Sequence, residues 1–276
     1  MQKNFSKAFC PAHITGFFAP EFRNGMVGSI GAGITLNVGV TARVSDGDPG
    51  IFFNEQPTEI DPVKTIIEQL NFSGRIELKS NLPLGCGFGL SGAASLASAL
   101  AINQALHMSN DVLTLADMAH VSEITCKTGL GDVVAQMYGG MIVRERGGKP
   151  SEAVVRKFTI SSPIDIVILG QLPTEEILSD NTVMKKIAIA GRQKLKAFLK
   201  FPTLSNFFFQ SREFAVGTGL ADSSILDIIE AVESQGGLAS MAMLGKVVFA
   251  INGFDALNEF GEVIQTRIDD CGARLI

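Results

Sequence analysis

The stretch from Lys79 to Asp111 holds no Asp, Glu, Lys or Arg between its ends, and glycines alternate early in it at Gly85, Gly87 and Gly89 before Gly92. A run this long without charge belongs inside protein or inside lipid. Its content argues against lipid, because Asn81, Pro83, Ser91, Ser95, Ser98, Asn103 and Gln104 interrupt it and leave no apolar run long enough to span a bilayer. The expectation is a glycine loop that feeds a small-residue helix buried in the protein. Alternating glycines let the backbone approach a ligand closely, and a helix start offers unpaired N–H groups with partial positive charge. Together they predict a phosphate site.

Composition supports a large core around that loop. Of 276 residues, 46% are hydrophobic, 18% are charged and 29 are glycine, which suits one large domain or two tightly joined lobes. The net charge of −5, from 23 basic and 28 acidic residues, offers no broad footprint for a polyanionic backbone, so nucleic acid is not an expected partner. Cys10, Cys86, Cys126 and Cys271 are scattered without a C-x-x-C pair; reduced thiols in a cytoplasmic protein are expected. Lys3 and Lys7 meet Pro11 and His13 before any apolar h-region forms, so neither a secretory signal nor a membrane partner is expected.

Periodicity places the loop among other elements. Residues 34–44 alternate as a half-buried strand, and the turn at Asp46-Gly47-Asp48-Pro49-Gly50 predicts that Ile51–Phe53 returns as the second arm of a hairpin. A helix is predicted over Pro62–Leu70 and a strand over Arg75–Lys79. Beyond the loop, helices are predicted over Ser91–Leu106 and Leu113–Lys127, the latter capped by Thr114 or Asn110. Strands are predicted at Met141–Arg146, Ala153–Phe158 and Ile164–Leu169. The second half is predicted to be helical over 175–190, 192–200, 203–215, 223–234 and 255–267, with a strand at Val247–Ile251. Phe207–Phe209 and the Met241/Met243 pair read first as core filling. The fold class is α+β with mixed sheets, the halves meeting near 160–175.

Known phosphate loops discriminate further. A Walker-type loop needs a lysine after its last glycine, and none lies between Lys79 and Lys127. Gly87, Gly89 and Gly92 match G-x-G-x-x-G formally, with Asp111 further on, but the dinucleotide fold requires a second parallel strand ending at that acid, and His107-Met108-Ser109-Asn110 reads as a polar helix exit. An NAD-dependent oxidoreductase is therefore the weaker alternative. The segment from Pro83 to Ala94, a proline, alternating glycines, a serine and small residues, resembles the ATP loop of the GHMP kinases. It departs from their usual form at Phe88, Leu90 and Gly92. Cys10–Phe18 resembles the family's first motif, with His13 where mevalonate kinase carries a substrate-side lysine, and Gly237–Lys246 falls where the third motif belongs, with fewer glycines.

His13–Phe18, Gly85–Gly92, Gly129–Gln136 and Ala242–Gly245 are similar to one archaeal branch of that family, the enzymes that phosphorylate the 4-hydroxyl of pantoate in coenzyme A biosynthesis. The resemblance implies a two-lobed GHMP kinase-like fold, with a ribosomal protein S5 domain 2-like lobe over 1–165 and a ferredoxin-like lobe over 166–276. It implies ATP and Mg²⁺ as cofactors, a small alcohol as substrate and a homodimer. Pro83, Gly85, Gly87, Phe88, Gly89, Leu90, Ser91 and Gly92 would hold ATP, with Ser91 and Glu123 on magnesium. Asp132 would act on the reacting hydroxyl as base or orienting group. Even spacing from Gly140 makes Arg144 a candidate for the substrate carboxylate, and His13, Ser29 and Thr174 are further substrate-side candidates. Read without the resemblance, Glu123 is a solvated helix residue, Asp132 an N-cap for Val133–Met137, and Arg144 a surface charge. Homoserine or mevalonate-pathway kinases, and a catalytically silent binding protein of this fold, are the remaining alternatives.

Overall fold

The computed structural model describes residues 5–23, 25–172 and 180–276. Its frame is a long antiparallel hairpin, β1 (Phe5–Arg23) and β2 (Met26–Ser45). The predicted strand over 34–44 is the second half of β2, and β1 carries no clean alternation in the sequence. Ala8, Cys10, Ala12 and Ile14 still alternate inward, each 0% exposed. The pattern is then broken by register shifts at Pro11/Ala12 and Thr15/Phe17, the first where a proline lacks the ladder donor. Between the shifts lie His13 and Thr15, which the irregularity aims toward the loop.

The rest of the first sheet corrects the predicted hairpin. Ile51–Phe53 lies in β3 (Gly50–Phe53), which pairs in parallel with β5 (Arg75–Lys79) and antiparallel with β4 (Gln56–Pro57); β5 is inserted between β2 and β3. Helix α1 (Asp61–Gln69) supplies the crossover that a parallel pair requires. The same edge of β2 that pairs with β5 at residues 41–45 pairs at residues 31–34 with β6 (Met141–Arg146), which in turn pairs with β7 (Val154–Phe158).

Helix α2 (Leu90–Ala105) fills the centre of the first sheet's covered face, packed on β1 and β2. Ala93, Ala94, Leu96, Ala97, Ala99, Ala101 and Ile102 are all 0% exposed, so the helix is apolar on nearly every side, as a core helix must be. Its small residues let α1 and α3 (Val112–Cys126) pack close. Asp111, rather than Thr114 or Asn110, caps α3, accepting the Thr114 N–H at 2.8 Å. That placement removes the dinucleotide reading, since no strand leads to Asp111.

A second, antiparallel sheet has the order β11-β8-β10-β9, from β11 (Val263–Arg267), β8 (Pro163–Gln171), β10 (Gly245–Ile251) and β9 (Leu238–Met241). Helices α5 (Asn181–Phe198), α6 (Leu204–Thr218) and α7 (Ser223–Ser234) accompany it. The two helices predicted over 175–190 and 192–200 are one helix in their described part, since Gly191 continues it, pressed against the Phe18 carbonyl where a side chain would not fit. The helix predicted over 255–267 stops at Asn258 as α8 (Phe254–Asn258), and Val263–Arg267 is strand β11, where Gly261 separates the two and Val263, Ile264 and Thr266 favour extended backbone.

An aromatic cluster joins the sheets. Phe17 of β1 lies 5.9 Å from Phe198 and 6.3 Å from Phe207, and Phe207 and Phe208 sit 6.1 and 4.9 Å from Phe249 of β10. Phe207 and Phe208 are core, whereas Phe209 faces outward at 57% exposure. The chain then returns to the first sheet: Ile268 bridges to Leu36, and β12 (Arg274–Leu275) pairs with β1.

Candidate active site

The loop between β5 and α2 is built by left-handed glycines: Gly85, Gly87 and Gly89 have φ of 78°, 82° and 60°, values that side chains on alternate positions would resist. The first N–H of α2 to bond back is that of Ala93, to the Gly89 carbonyl at 3.0 Å, which leaves the preceding amides of the helix start to face a ligand. A cavity of about 350 Å³ opens there, walled by Gly85, Gly87, Phe88, Gly89, Leu90 and Ser91 on one side and by residues 126–132 on another. Thr15, Phe18, Ser29, Leu84, Arg144, Met243 and Leu244 complete it. Pro83 and Gly92 flank the loop without lining the cavity.

The turn between α3 and α4 (Asp132–Tyr138) brings the acids in. Glu123 is 2% exposed, and its carboxylate accepts the Ser91 hydroxyl at 3.2 Å and the Thr128 hydroxyl at 2.7 Å. Burial pushes its carboxyl up to about 7, with the Thr128 and Ser91 bonds pulling the other way. It is therefore no solvated helix glutamate. The Ser91 and Thr128 oxygens with one carboxylate form a hard-donor set of the kind Mg²⁺ takes beside phosphate and water. Among the described residues no three His, Cys, Asp or Glu side chains gather, so the remaining ligands of such an ion would come from a nucleotide and solvent.

Asp132 is the first residue of α4, and Gly131 takes the cap position. Its carboxylate accepts the Nδ1–H of His13 at 2.6 Å and keeps 23% side-chain exposure toward the cavity. Burial alone would raise its carboxyl, but the His13 bond and the Arg144 charge outweigh that and hold it below the usual aspartate range. Burial likewise lowers the His13 imidazole despite Asp132 beside it, and Nδ1 is the nitrogen that donates, since an ionised carboxylate can only accept. His13 is 0% exposed and stands behind Asp132 with its ring against Gly33.

Arg144 is 1% exposed. Its Nε donates to the Ser29 carbonyl at 3.2 Å and its Nη2 to the Ser29 hydroxyl at 3.3 Å, while Nη1 has no partner among the described residues. Gly131 makes the approach possible: a methyl group there would lie 2.5 Å from the Ser29 Oγ and 2.8 Å from the Arg144 Nε. Of the substrate-side candidates, Ser29 and Arg144 share the cavity wall, His13 sits behind it, and Thr174 lies outside the described residues. Thr15, Phe18 and Thr128 have no sequence signal beyond their places beside His13 and Gly129. His120, assigned nothing from the sequence, donates its Nε2–H to the Val27 carbonyl at 3.1 Å.

Comparison with known proteins gives the family. The profile of the GHMP kinases N-terminal domain matches residues 61–140, the span from α1 to the end of α4. A pantoate kinase of Methanocaldococcus jannaschii is 37% identical over 94% of this chain and 97% of its own length. The chain belongs to the GHMP kinases, on the pantoate kinase branch. A solved phosphotransferase related to the CoA biosynthesis pathway superposes on this GHMP kinase with a TM-score of 0.86 at 30% identity, over 99% of this chain and 98% of the other. A homoserine kinase from Cytophaga hutchinsonii, at TM-score 0.73 and 18% identity over 100% of this chain and 98% of its own, shares the fold. Within the segment read as the third motif, Met243 and Leu244 line the far wall of the cavity, and the Met243 N–H donates to the Thr15 carbonyl at 3.0 Å.

Proposed function

We propose that this GHMP kinase transfers the γ-phosphoryl group of ATP to the 4-hydroxyl of pantoate, giving 4-phosphopantoate and ADP. Phosphoryl transfer asks for a fixed triphosphate, neutralised charge and a hydroxyl aimed in line. The glycine loop and the start of α2 would fix the triphosphate through backbone N–H groups. Ser91 and Glu123 would hold Mg²⁺, which when bound screens the charge that develops on the phosphates. The Arg144 Nη1, a buried donor in the cavity wall without a partner among the described residues, would take the pantoate carboxylate, with the Ser29 hydroxyl beside it. Such an anchor would leave the far hydroxyl of the same substrate to reach Asp132, which lines the same cavity. Asp132, ionised and below the usual range, would orient that hydroxyl and accept its proton as the new O–P bond forms; a weak base is suited to a transition state in which the proton leaves late.

The observation that carries this reading is the convergence of loop, acid and cation on one cavity: the Asp132 carboxyl carbon lies 3.0 Å from where a side chain on Gly89 would begin, and the Arg144 guanidinium carbon lies as close, 3.0 Å, to the corresponding point on Gly131. The same reading makes the protein a cytoplasmic homodimer acting on small molecules. Its test is Asp132→Asn. Turnover is expected to fall by a factor of at least about 10² while a nonhydrolysable ATP analogue still binds, measured by calorimetry; turnover near wild type would remove Asp132 from the chemistry.

A further inference from the structure

Gln136 sits one turn beyond Asp132 on α4, is 0% exposed, and belongs to neither the cavity wall nor the magnesium set. Its Nε2 donates to the Gly89 carbonyl at 2.8 Å. Gly89 is the left-handed glycine on which α2 begins, and it faces the Asp132 side chain directly. One hydrogen bond therefore crosses from the helix that carries the acid to the loop built for the triphosphate. The base of the Gln136 side chain is pinned as well, because its main-chain carbonyl accepts the Ala273 N–H at 2.9 Å from the returning C-terminal segment. Its Oε1 is buried with no hydrogen-bond partner among the described residues. That oxygen lies 3.0 Å from the point where a side chain on Gly92 would start, with the Glu123 Oε2 3.4 Å from the same point. An amide kept dry with half its capacity unmet costs stability, so packing alone does not account for a glutamine here.

We propose that Gln136 is a positioning residue: its amide sets the separation between the triphosphate loop and Asp132, and so the alignment of γ-phosphate and hydroxyl. Asp132 and the loop reach the cavity from separate elements, and Gln136 joins them directly at Gly89. Leucine or methionine would fill the same space without fixing that separation. The assignment rests on the kinase reading above, and it predicts a loss in the rate of transfer rather than in the binding of either substrate.

The test compares Gln136→Met, of similar length without the donor, with Gln136→Glu, which retains the shape. In both, kcat is expected to fall by about ten- to a hundredfold, the cost of a small misplacement of reacting groups, with KM for ATP and for pantoate within about threefold. Hydrogen exchange at the amides of residues 84–94 is expected to quicken in both, with α1 unchanged. The exchange measurement needs no substrate, so it decides the proposal even if the wild-type protein leaves pantoate untouched, an outcome that would overturn the kinase reading separately. A kcat within twofold of wild type, a loss that appears in KM, or unchanged loop exchange overturns the assignment. So does a kcat loss that matches the loss of folded protein in both variants, since that would make Gln136 merely structural.

Discussion

At Glu123 the chemistry and the stability of the protein pull apart. The carboxyl ionises near 4.5 when exposed and near about 7 in the folded protein, chiefly because it is buried. Between those values the folded chain holds a proton that the unfolded chain has released. Stability therefore falls as pH rises through that window and levels off above it, a loss of about 3 kcal/mol for a shift of this size. Glu123→Gln, which cannot ionise, is expected to be more stable than wild type at pH 8 in Mg²⁺-free buffer, and equal to it or less stable at pH 4. Its thermal midpoint against pH is the measurement; a wild-type midpoint that rises from pH 5 to pH 8 relative to the variant contradicts the assignment. Ser91, Glu123 and Asp132 stood out in the sequence only through the family resemblance, and Arg144 through its even spacing from Gly140; the burial of Glu123 and Arg144 could not be read there, since it depends on elements that only the fold brings together. His13 was legible as a site residue but not in its placement, since which ring nitrogen finds a carboxylate depends on β1 crossing α4, a contact between residues 119 positions apart.

The turn from Thr128 to Gly131 is the element that concentrates the site. It ends α3 after Lys127, which adopts a left-handed φ of 57°, and it starts α4 at Asp132. Its glycines are there for space: the Glu123 carboxylate occupies the position where a side chain on Gly129 would begin, and Ser29 with Arg144 does the same at Gly131. Gly131→Ala is therefore expected to displace Arg144 and raise KM for pantoate by about tenfold or more, which is ~1.4 kcal/mol of binding, with KM for ATP little changed. An equal rise in both KM values would mean that the turn serves the nucleotide instead. At this scale α1, β5, α2, α3, β6 and α7 could be read from periodicity and residue content, although Asp111 and not the predicted Thr114 or Asn110 caps α3. β1 could not, because Pro11, Gly16 and two register shifts break its alternation, and β11 was hidden by a helix start at Phe254 that runs only to Asn258.

Across the whole molecule, two sheets with separate helical layers meet at one cavity, and the connections that hold them include the Phe17 cluster, the Thr15–Met243 backbone bond, the hydrogen bonds Gln171–Leu84 and Thr266–Asn37, and the C-terminal return. The return is anchored at Asp269, whose carboxylate accepts the Cys271 and Gly272 N–H groups at 2.9 and 2.8 Å and Arg274 at 3.0 Å. Its carbonyl accepts the Gly140 N–H at 2.6 Å. Nothing in the sequence marked this tie, since it depends on a carboxylate meeting backbone groups that only the fold brings near. The net charge of −5 also takes its place at this scale. A triphosphate held by backbone N–H groups and a metal needs no basic surface, and Arg144, the single buried cation lining the cavity among the described residues, suits a substrate with a single carboxylate. The claim that joins these scales is that the cavity selects pantoate among carboxylate-bearing alcohols and phosphorylates it. Purified protein incubated with ATP, Mg²⁺ and, in parallel, pantoate, homoserine or mevalonate tests it most directly through ADP release. ADP formation with pantoate well above the no-substrate control and above the other two alcohols is the predicted result; release with homoserine or mevalonate and none with pantoate would contradict it.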